Sequence, residues 1–415
     1  MNRKYVITVS YGDYTKGAGG TDKVILSHQK IYNENNIDVI HLLKNKRFSS
    51  FNIWTVLLNG ETIGEYSNKR LMYLIYRLHK ENSDLCEIVI HHLKNVDIGL
   101  LTELLEYCEV PLKFYLHDYY TICPKSGLIK DDGTFCNNGF PECSKCKNCK
   151  SYSESIQQID KTRDFLRKFE DRITFIAPSD VAKEVWVRDY PQYTDKVKVI
   201  FHQNLIGEYH GNNEIISNDE PLRIGFIGYQ RPLKGWSEYK NAVQEAHSLN
   251  LNEKFFQFGW GEDRLSYISQ IELDFKKSMT AMTDELRNKK IHVAIIWSKW
   301  PETYAYTYYE SMAANCFVIT NDQSGNICAQ VKSRKNGIVS SDLSEMLCNE
   351  DNLRELVNRY RTERNFVPES LVENDAFISL LSEPNWKAKK VKFCFDKSFV
   401  IMYLKKFKKI ISIKK

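Results

Sequence analysis

The sequence predicts an α/β protein made of two doubly wound, Rossmann-like domains that face each other across a cleft, and three observations carry that prediction. Strand-like and helix-like segments alternate in two separate series, a polar stretch lies between the series, and glycines or charged residues follow the strands where ligands bind in such sheets. The length of 415 residues exceeds one ordinary core and suits two domains of about 200 residues each.

The first series runs YVITVSY (5–11), a helix from about Gly20 to Glu34, IDVIHLL (37–43), a helix near 69–80, CEIVIHHL (86–93), a helix near 98–108 and PLKFYLHD (111–118). A cysteine-rich insertion interrupts it at 123–149. It resumes with a helix near 153–170, ITFIAPS (173–179), a helix near 180–188 and KVKVIFH (196–202). Repeated βα units of this kind imply parallel sheets with helices on both faces. The polar, glycine- and asparagine-rich stretch 205–221 reads as an interdomain linker, so the first domain spans 1–204. The second domain, 222–370, runs LRIGFIGY (222–229), a helix from Lys234 to about Leu249, KFFQFGW (254–260), a helix near 279–289, IHVAIIWS (291–298), a helix begun by Glu302, and CFVITND (316–322). Further helices and a basic tail are expected over 371–415.

Charge is unevenly distributed. The chain carries +5 in all, but residues 387–415 hold eleven lysines against Asp396, so the tail is +10 and the body mildly acidic at −5. That excludes a nucleic-acid-binding surface over the whole protein and isolates one local basic element. On a helix, Phe399, Ile401, Met402, Leu404, Phe407, Ile410, Ile411 and Ile413 form a broad apolar face ringed by lysines, which suits either an anionic membrane surface or packing on the body. The N-terminus runs straight into a strand with no signal-like apolar core, and no apolar run reaches 18 residues. The expected location is cytoplasmic, with a peripheral position at the inner face of the membrane if the tail binds it. Reduced thiols or metal ligands are then expected of the 11 cysteines.

Five of those cysteines, Cys123, Cys136, Cys143, Cys146 and Cys149, fall within 27 residues, with Cys143-x-x-Cys146-x-x-Cys149 among loop-forming residues. The spacing suits a structural zinc held by Cys123, Cys136, Cys143 and Cys146, with Cys149 as a substitute for one of them. Four thiolates leave no open position for water, so such an ion would do no chemistry. Free thiols in a loop are the alternative.

The most informative segment is PETYAYTYYE, 301–310, leading into SMAANCFVIT. Read as a helix, it separates Glu302 and Glu310 by roughly 12 Å along the axis and about 80° around it. Carboxylates at both ends accept hydroxyl hydrogen bonds, and unpaired amides at the helix start attract an anion, a combination that suits a nucleotide-sugar. Two surface glutamates on an amphipathic helix are the alternative. GAGGTD places Gly17, Gly19 and Gly20 ahead of the first helix, where backbone can approach a phosphate; a plain tight turn reads equally well. GYQRPLKGW sets Gly228 after a strand, then Arg231, Lys234 and Gly235, with two cations able to neutralise a departing diphosphate. His117 and Asp118 end a strand at its carboxyl edge, where an imidazole can bond a sugar hydroxyl or a phosphate oxygen.

Taken in order, the glycine pair, His117-Asp118, Pro178-Ser179, Gly228 with Lys234-Gly235, and Glu302 with Glu310 resemble the retaining family-4 glycosyltransferases of GT-B fold, over roughly residues 5–370. The cysteine insertion after the His-Asp pair is similar to one subgroup of that family. The resemblance implies transfer of a hexose-type sugar from a nucleotide-diphosphate donor to an acceptor hydroxyl with retention, in cell-surface polysaccharide or glycolipid assembly, with no catalytic metal. It implies a catalytic set of His117, Lys234 and Glu302. It also implies donor contacts from Gly19, Gly20, Gly228, Arg231, Lys234, Glu302, Tyr304, Ala305 and Glu310, with Glu302 on the sugar and Glu310 on the ribose. Many members carry arginine directly after the glycine, where this chain has Tyr229, so Arg231 is expected to supply that contact or the contact is missing. A glycan or lipid-linked acceptor is the expected partner. A same-fold epimerase, a phosphorylase and a non-catalytic binding partner are the competing readings.

Overall fold

The computed structural model describes residues 2–17, 19–44, 53–137, 139–140, 146, 149, 152–207, 215–273, 278, 280–363 and 370–392. Two large sheets dominate it. The first has the order β4-β3-β2-β1-β5-β6-β7-β8, from β1 (Arg3–Ser10), β2 (Ile37–Lys44), β3 (Ile53–Leu58), β4 (Glu61–Ser67), β5 (Ser83–Ile90), β6 (Leu112–Tyr115), β7 (Ile173–Ala177) and β8 (Val197–Val199). The second has the order β12-β11-β10-β13-β14-β15, from β10 (Leu222–Ile227), β11 (Glu253–Phe258), β12 (Ile268–Ile271), β13 (Val293–Ile295), β14 (Phe317–Thr320) and β15 (Gly337–Val339), all parallel. A two-stranded ribbon pairs β9 (Gln203–Ile206), which lies between the two sheets in sequence, antiparallel with β16 (Ser370–Glu373), which follows the second sheet.

The second sheet is apolar on both faces, which is why its strands read as continuous hydrophobic runs. Leu222, Ile224, Phe226, Val293, Ile295, Phe317 and Ile319 enter one core, while Ile227, Ala294, Ile296 and Val318 enter the other. Helices cover both: α6 (Trp236–Ser248), α10 (Leu343–Leu347) and α11 (Glu350–Glu363) pack on the first set, and α7 (Ala281–Asn288), α8 (Tyr306–Ala313) and α9 (Asn326–Arg334) on the second. In the first domain α1 (Gly20–Glu34), α2 (Asn68–Lys80), α3 (Ile98–Tyr107), α4 (Tyr152–Lys168) and α5 (Asp180–Asp189) play the same part. Local chemistry sets their ends. Ser67, Asp97 and Ser179 cap α2, α3 and α5 through their side chains, and Asn36, Asn82, Asn250 and Asn315 take left-handed φ just beyond α1, α2, α6 and α8.

Several expectations need correction. Residues 53–67 form an antiparallel hairpin beside β2 that the βα reading passed over. Its signal is Asn59-Gly60, both at positive φ (48° and 88°), the residue pair favoured in two-residue hairpin turns. The short strand β12 was also not expected. The stretch 205–221 is not a free linker throughout: its start belongs to β9, and Ile216 is buried in the second core, its backbone N–H held by Asn358 Oδ1 at 2.9 Å. Instead of helices, described residues 370–392 form β16, a short 3-10 turn (Ala376–Leu380) and extended chain. This segment returns to the first domain, where Phe377 packs with Val6, Tyr32 and Cys86 and its carbonyl accepts from buried Lys113 at 3.2 Å. The basic tail beyond residue 392 lies outside the described residues.

Sheet order reverses between β1 and β5 in the first domain and between β10 and β13 in the second. Ligands in doubly wound sheets bind outside the carboxyl ends at such reversals. The turns that follow these four strands carry Gly19-Gly20, His91-His92, Gly228 and Ser298-Glu302.

Candidate active site

The turns after β1, β10 and β13, joined by the one after β6 that carries His117-Asp118, converge on one cavity of about 360 Å³, within the general range of small-molecule sites, about 300–1,000 Å³, while His91 and His92 lie behind its wall. Gly19, Gly20, His117, Gly228, Lys234, Glu302, Tyr304, Ala305 and Glu310 all line it. Arg231 does not: it is exposed, and its neighbour Tyr229 lines the cavity instead. The wall residues that the sequence reading did not single out as donor contacts are led by Lys23, Ser298 and Tyr306.

The segment around Glu302 departs most from expectation. The helix begins at Tyr306, not at Glu302, and Ala305 precedes it at φ 66°, a left-handed conformation that costs a non-glycine residue about 1–2 kcal/mol. The 12 Å separation inferred from one continuous helix therefore does not apply. Both domains hold the turn in this shape. From the second, Asn326 donates its backbone N–H to Glu302 O at 2.9 Å and its side-chain amide to Tyr304 O at 2.7 Å. From the first, Tyr119 and Ser179 donate hydroxyls to Pro301 O (3.0 Å) and Thr303 O (2.6 Å), while Thr303 donates to His117 O at 2.7 Å. Gly325, at φ 62°, lies so close behind the turn that a Cβ there would stand 2.5 Å from Pro301 backbone atoms.

Each glutamate answers to a lysine. Glu302, nearly buried, pairs through Oε1 with the Lys234 ammonium and accepts the Ser298 hydroxyl at 2.7 Å on the same oxygen. Glu310, in the middle of α8, pairs with Lys23 of α1 at 3.1 Å, across the two domains. Burial pushes the Glu310 carboxyl above the usual carboxylate range, Lys23 opposes that shift and Glu373 adds to it. Lys23 follows Gly20 by three residues, so the first turn of α1 presents both to the cleft. That spacing was the available clue to Lys23. Lys234 ends the short 3-10 turn Pro232–Lys234, and Gly235 follows at φ 84°, where a Cβ would stand 2.3 Å from Trp297 O. Only glycine lets the start of α6 approach the chain just after β13 this closely.

The glycine turn is more committed than it reads. Asp22 accepts the Gly19 N–H at 3.1 Å, leaving Gly20 and Thr21 as the start of α1 on the cavity wall. A Cβ on Gly20 would stand 3.8 Å from the Tyr306 ring, so the two domains meet there.

His117 stacks with His91 and Tyr115 and shares a 3.0 Å ring-nitrogen hydrogen bond with His91. Burial, then His202, His92 and His28, hold its pKa well below the ordinary histidine value, so the ring is neutral at neutral pH. Burial also lowers His202, beside it, to about 3. A neutral imidazole offers hydrogen bonds, not positive charge.

Cys123, Cys136, Cys146 and Cys149 form no disulfide, none lines the cavity, and Cys143 lies outside the described residues. Among the described residues no group of three or more His, Cys, Asp or Glu side chains is placed to hold a metal ion. Nor is any helix among them long and apolar enough to cross a membrane.

No family model matches the chain, and no curated protein does. Solved structures do. Sucrose-phosphate synthase of Thermosynechococcus elongatus aligns at TM-score 0.53 and 10% identity, over 87% of this chain and 92% of that one. Anabaena HepE in complex with UDP-glucose aligns at 0.52 and 11%, over 88% and 96%. The pneumococcal O-GlcNAc transferase GtfA in complex with UDP and GlcNAc aligns at 0.50 and 12%, over 86% and 94%. With so little identity but nearly full-length overlap, the two doubly wound domains and the cleft between them establish the GT-B fold.

Proposed function

We propose that this protein is a retaining glycosyltransferase that moves a hexose-type sugar from a nucleotide diphosphate to an acceptor hydroxyl. The observation that carries the reading is the pairing of Glu302 with Lys234 and of Glu310 with Lys23 on the walls of one cleft. Fold neighbours that hold UDP-glucose, or UDP with GlcNAc, support it.

A nucleotide-sugar brings hydroxyls at both ends and charge in the middle. Sugar hydroxyls donate to Glu302 and ribose hydroxyls to Glu310, each replacing part of what a lysine now supplies. Lys234, about one-third exposed, turns from Glu302 to the diphosphate. Its charge then meets the negative charge that builds on the leaving group, a contact that strengthens toward the transition state. The amides at the start of α1 stabilise the same phosphates. Neutral His117 donates to or accepts from a sugar hydroxyl without competing with Lys234 for the phosphate. Neither glutamate is assigned as a base, and Arg231 has no part in the step.

Two outlying parts of the chain complete the proposal. The cysteine insertion holds a structural zinc that includes Cys143, and the lysine-rich tail rests on the anionic inner face of a membrane, where a lipid-linked or glycan acceptor is extended into surface polysaccharide or glycolipid. A panel of UDP-, dTDP-, ADP- and GDP-hexoses tests the central claim: one of them raises the melting temperature and is consumed with release of the nucleoside diphosphate. Consumption that yields only an isomerised nucleotide-sugar would instead establish an epimerase.

A further inference from the structure

We infer that Asp118 is a further catalytic residue, which binds and orients the attacking acceptor hydroxyl, and that His92 is the positioning residue that holds it. The inference rests on the transferase reading above and adds to it the residue that receives the second substrate.

His92 follows β5 and Asp118 follows β6, adjacent parallel strands. The Lys94 backbone N–H donates to His92 Nδ1 at 2.8 Å, so that nitrogen is an acceptor and the ring proton sits on Nε2. Nε2 lies 3.1 Å from Asp118 Oδ2, and the Tyr120 backbone N–H donates to Oδ1 at 2.9 Å. The His92 ring is wedged between Tyr11 and Tyr120, at centroid distances of 5.2 and 4.8 Å, so it cannot swing away. Its side chain is 5% exposed, whereas that of Asp118 is 25% exposed and lines the cleft. A carboxylate has about four acceptor sites. Two are engaged by His92 and Tyr120, which fix the plane of the group and leave it able to accept from a ligand.

Asp118 differs from the two donor carboxylates in its partner. Glu302 and Glu310 each face a lysine, and their hydrogen-bonding capacity suits the two ends of the donor. Among the described residues Asp118 pairs with no lysine or arginine; its side-chain partner is the neutral His92 ring. A carboxylate so held, one residue from His117 and on the same wall as the α1 turn, suits a neutral alcohol. In the step, the hydroxyl oxygen bonds to the anomeric carbon as the bond from that carbon to the diphosphate breaks, its electron pair leaving with the phosphate. The hydroxyl proton passes to a leaving phosphate oxygen. Before the step Asp118 accepts the single hydrogen bond of that hydroxyl, which aims the oxygen lone pair at the anomeric carbon; as the new bond forms, the O–H turns from Asp118 to the leaving phosphate oxygen.

The test compares wild type with Asp118→Asn, His92→Leu and His92→Gln in the full chain. The best nucleotide-sugar of the panel above is the donor, with water and octyl glucoside as hydroxyl sources. Asp118→Asn is expected to keep the donor-induced rise in melting temperature and the donor KM, while kcat for nucleoside diphosphate release falls about 10- to 100-fold. His92→Leu should reproduce the fall, and His92→Gln, which retains an N–H donor, should recover part of it. Wild-type kcat in Asp118→Asn would overturn the inference, as would loss of donor stabilisation, which would make Asp118 a donor contact. If Asp118→Asn proves unstable, the His92 pair decides: equal kcat in both variants overturns it. A wild type that no nucleotide-sugar stabilises overturns the donor reading and this inference together.

Discussion

Lys23 of the first domain and Glu310 of the second form a 3.1 Å ion pair across the cleft, with side chains only 12% and 5% exposed. The pair ties the domains together where the donor ribose is proposed to lie. Removing one partner of a buried pair leaves the other charge uncompensated, which generally costs about 3–5 kcal/mol. Lys23→Met should therefore destabilise the protein strongly, and much less so in a Glu310→Gln background. Urea unfolding of the four-member mutant cycle measures this; equal effects of Lys23→Met in both backgrounds would remove the coupling.

Lys234→Ala and Glu302→Ala each remove one member of the second pair. Each is expected to lower kcat/KM for nucleotide-sugar turnover by about 10²- to 10³-fold, with circular dichroism unchanged. Undiminished turnover in either variant would withdraw that residue from the site.

Gly325→Ala tests whether the shape of the Glu302 turn matters without altering any cavity-lining side chain. Its Cβ would collide with Pro301 backbone, so the turn must shift. The expected result is at least a 10-fold loss of activity and a melting temperature lowered by several degrees, against little change for Gly12→Ala, where nothing lies within 4 Å of the new atom.

Glu253 gives a pH signature independent of the site. Both its oxygens are buried without a hydrogen-bond partner among the described residues, and burial, reinforced by Glu350 and opposed by Arg354, raises its pKa from 4.5 to about 8. The folded state thus holds this proton more tightly than the unfolded chain does. Its contribution to stability is complete below pH 4.5 and declines as pH rises toward 8. Glu253→Gln should flatten that decline and be the more stable protein at pH 8.5; parallel stability curves between pH 5 and 8.5 would contradict it.

For the cysteine insertion, metal analysis of purified protein is expected to find about one equivalent of zinc, lost on Cys143→Ser. Less than half an equivalent, with thiols that titrate freely, would leave the insertion without a metal.

Much of the fold was legible because its signals are local. The runs at 5–11, 86–93 and 291–298 are apolar on both faces, a pattern that buried parallel strands require. The hairpin at 53–67 was missed because its strands carry polar residues such as Thr55, Glu61 and Glu65, although Asn59-Gly60 marked the turn. Arg231 was expected at the phosphate from its proximity to Lys234 in sequence. Three residues away along a 3-10 turn, however, it faces solvent.

The sequence by itself determined two βα series, the turns that follow their strands, and the residue types able to grip a nucleotide-sugar. These depend on periodicity and on side-chain chemistry within a few residues. Only the tertiary structure decided that α8 starts at Tyr306, that Lys23 meets Glu310, that Arg231 lies outside the cavity and that His92 holds Asp118. Each of these depends on contacts between segments well separated along the chain, or on which way a turn faces once the sheets are packed. The strain at Ala305 makes the point locally: propensity favours a helix that includes Glu302, but hydrogen bonds from Tyr119, Ser179 and Asn326 outweigh it.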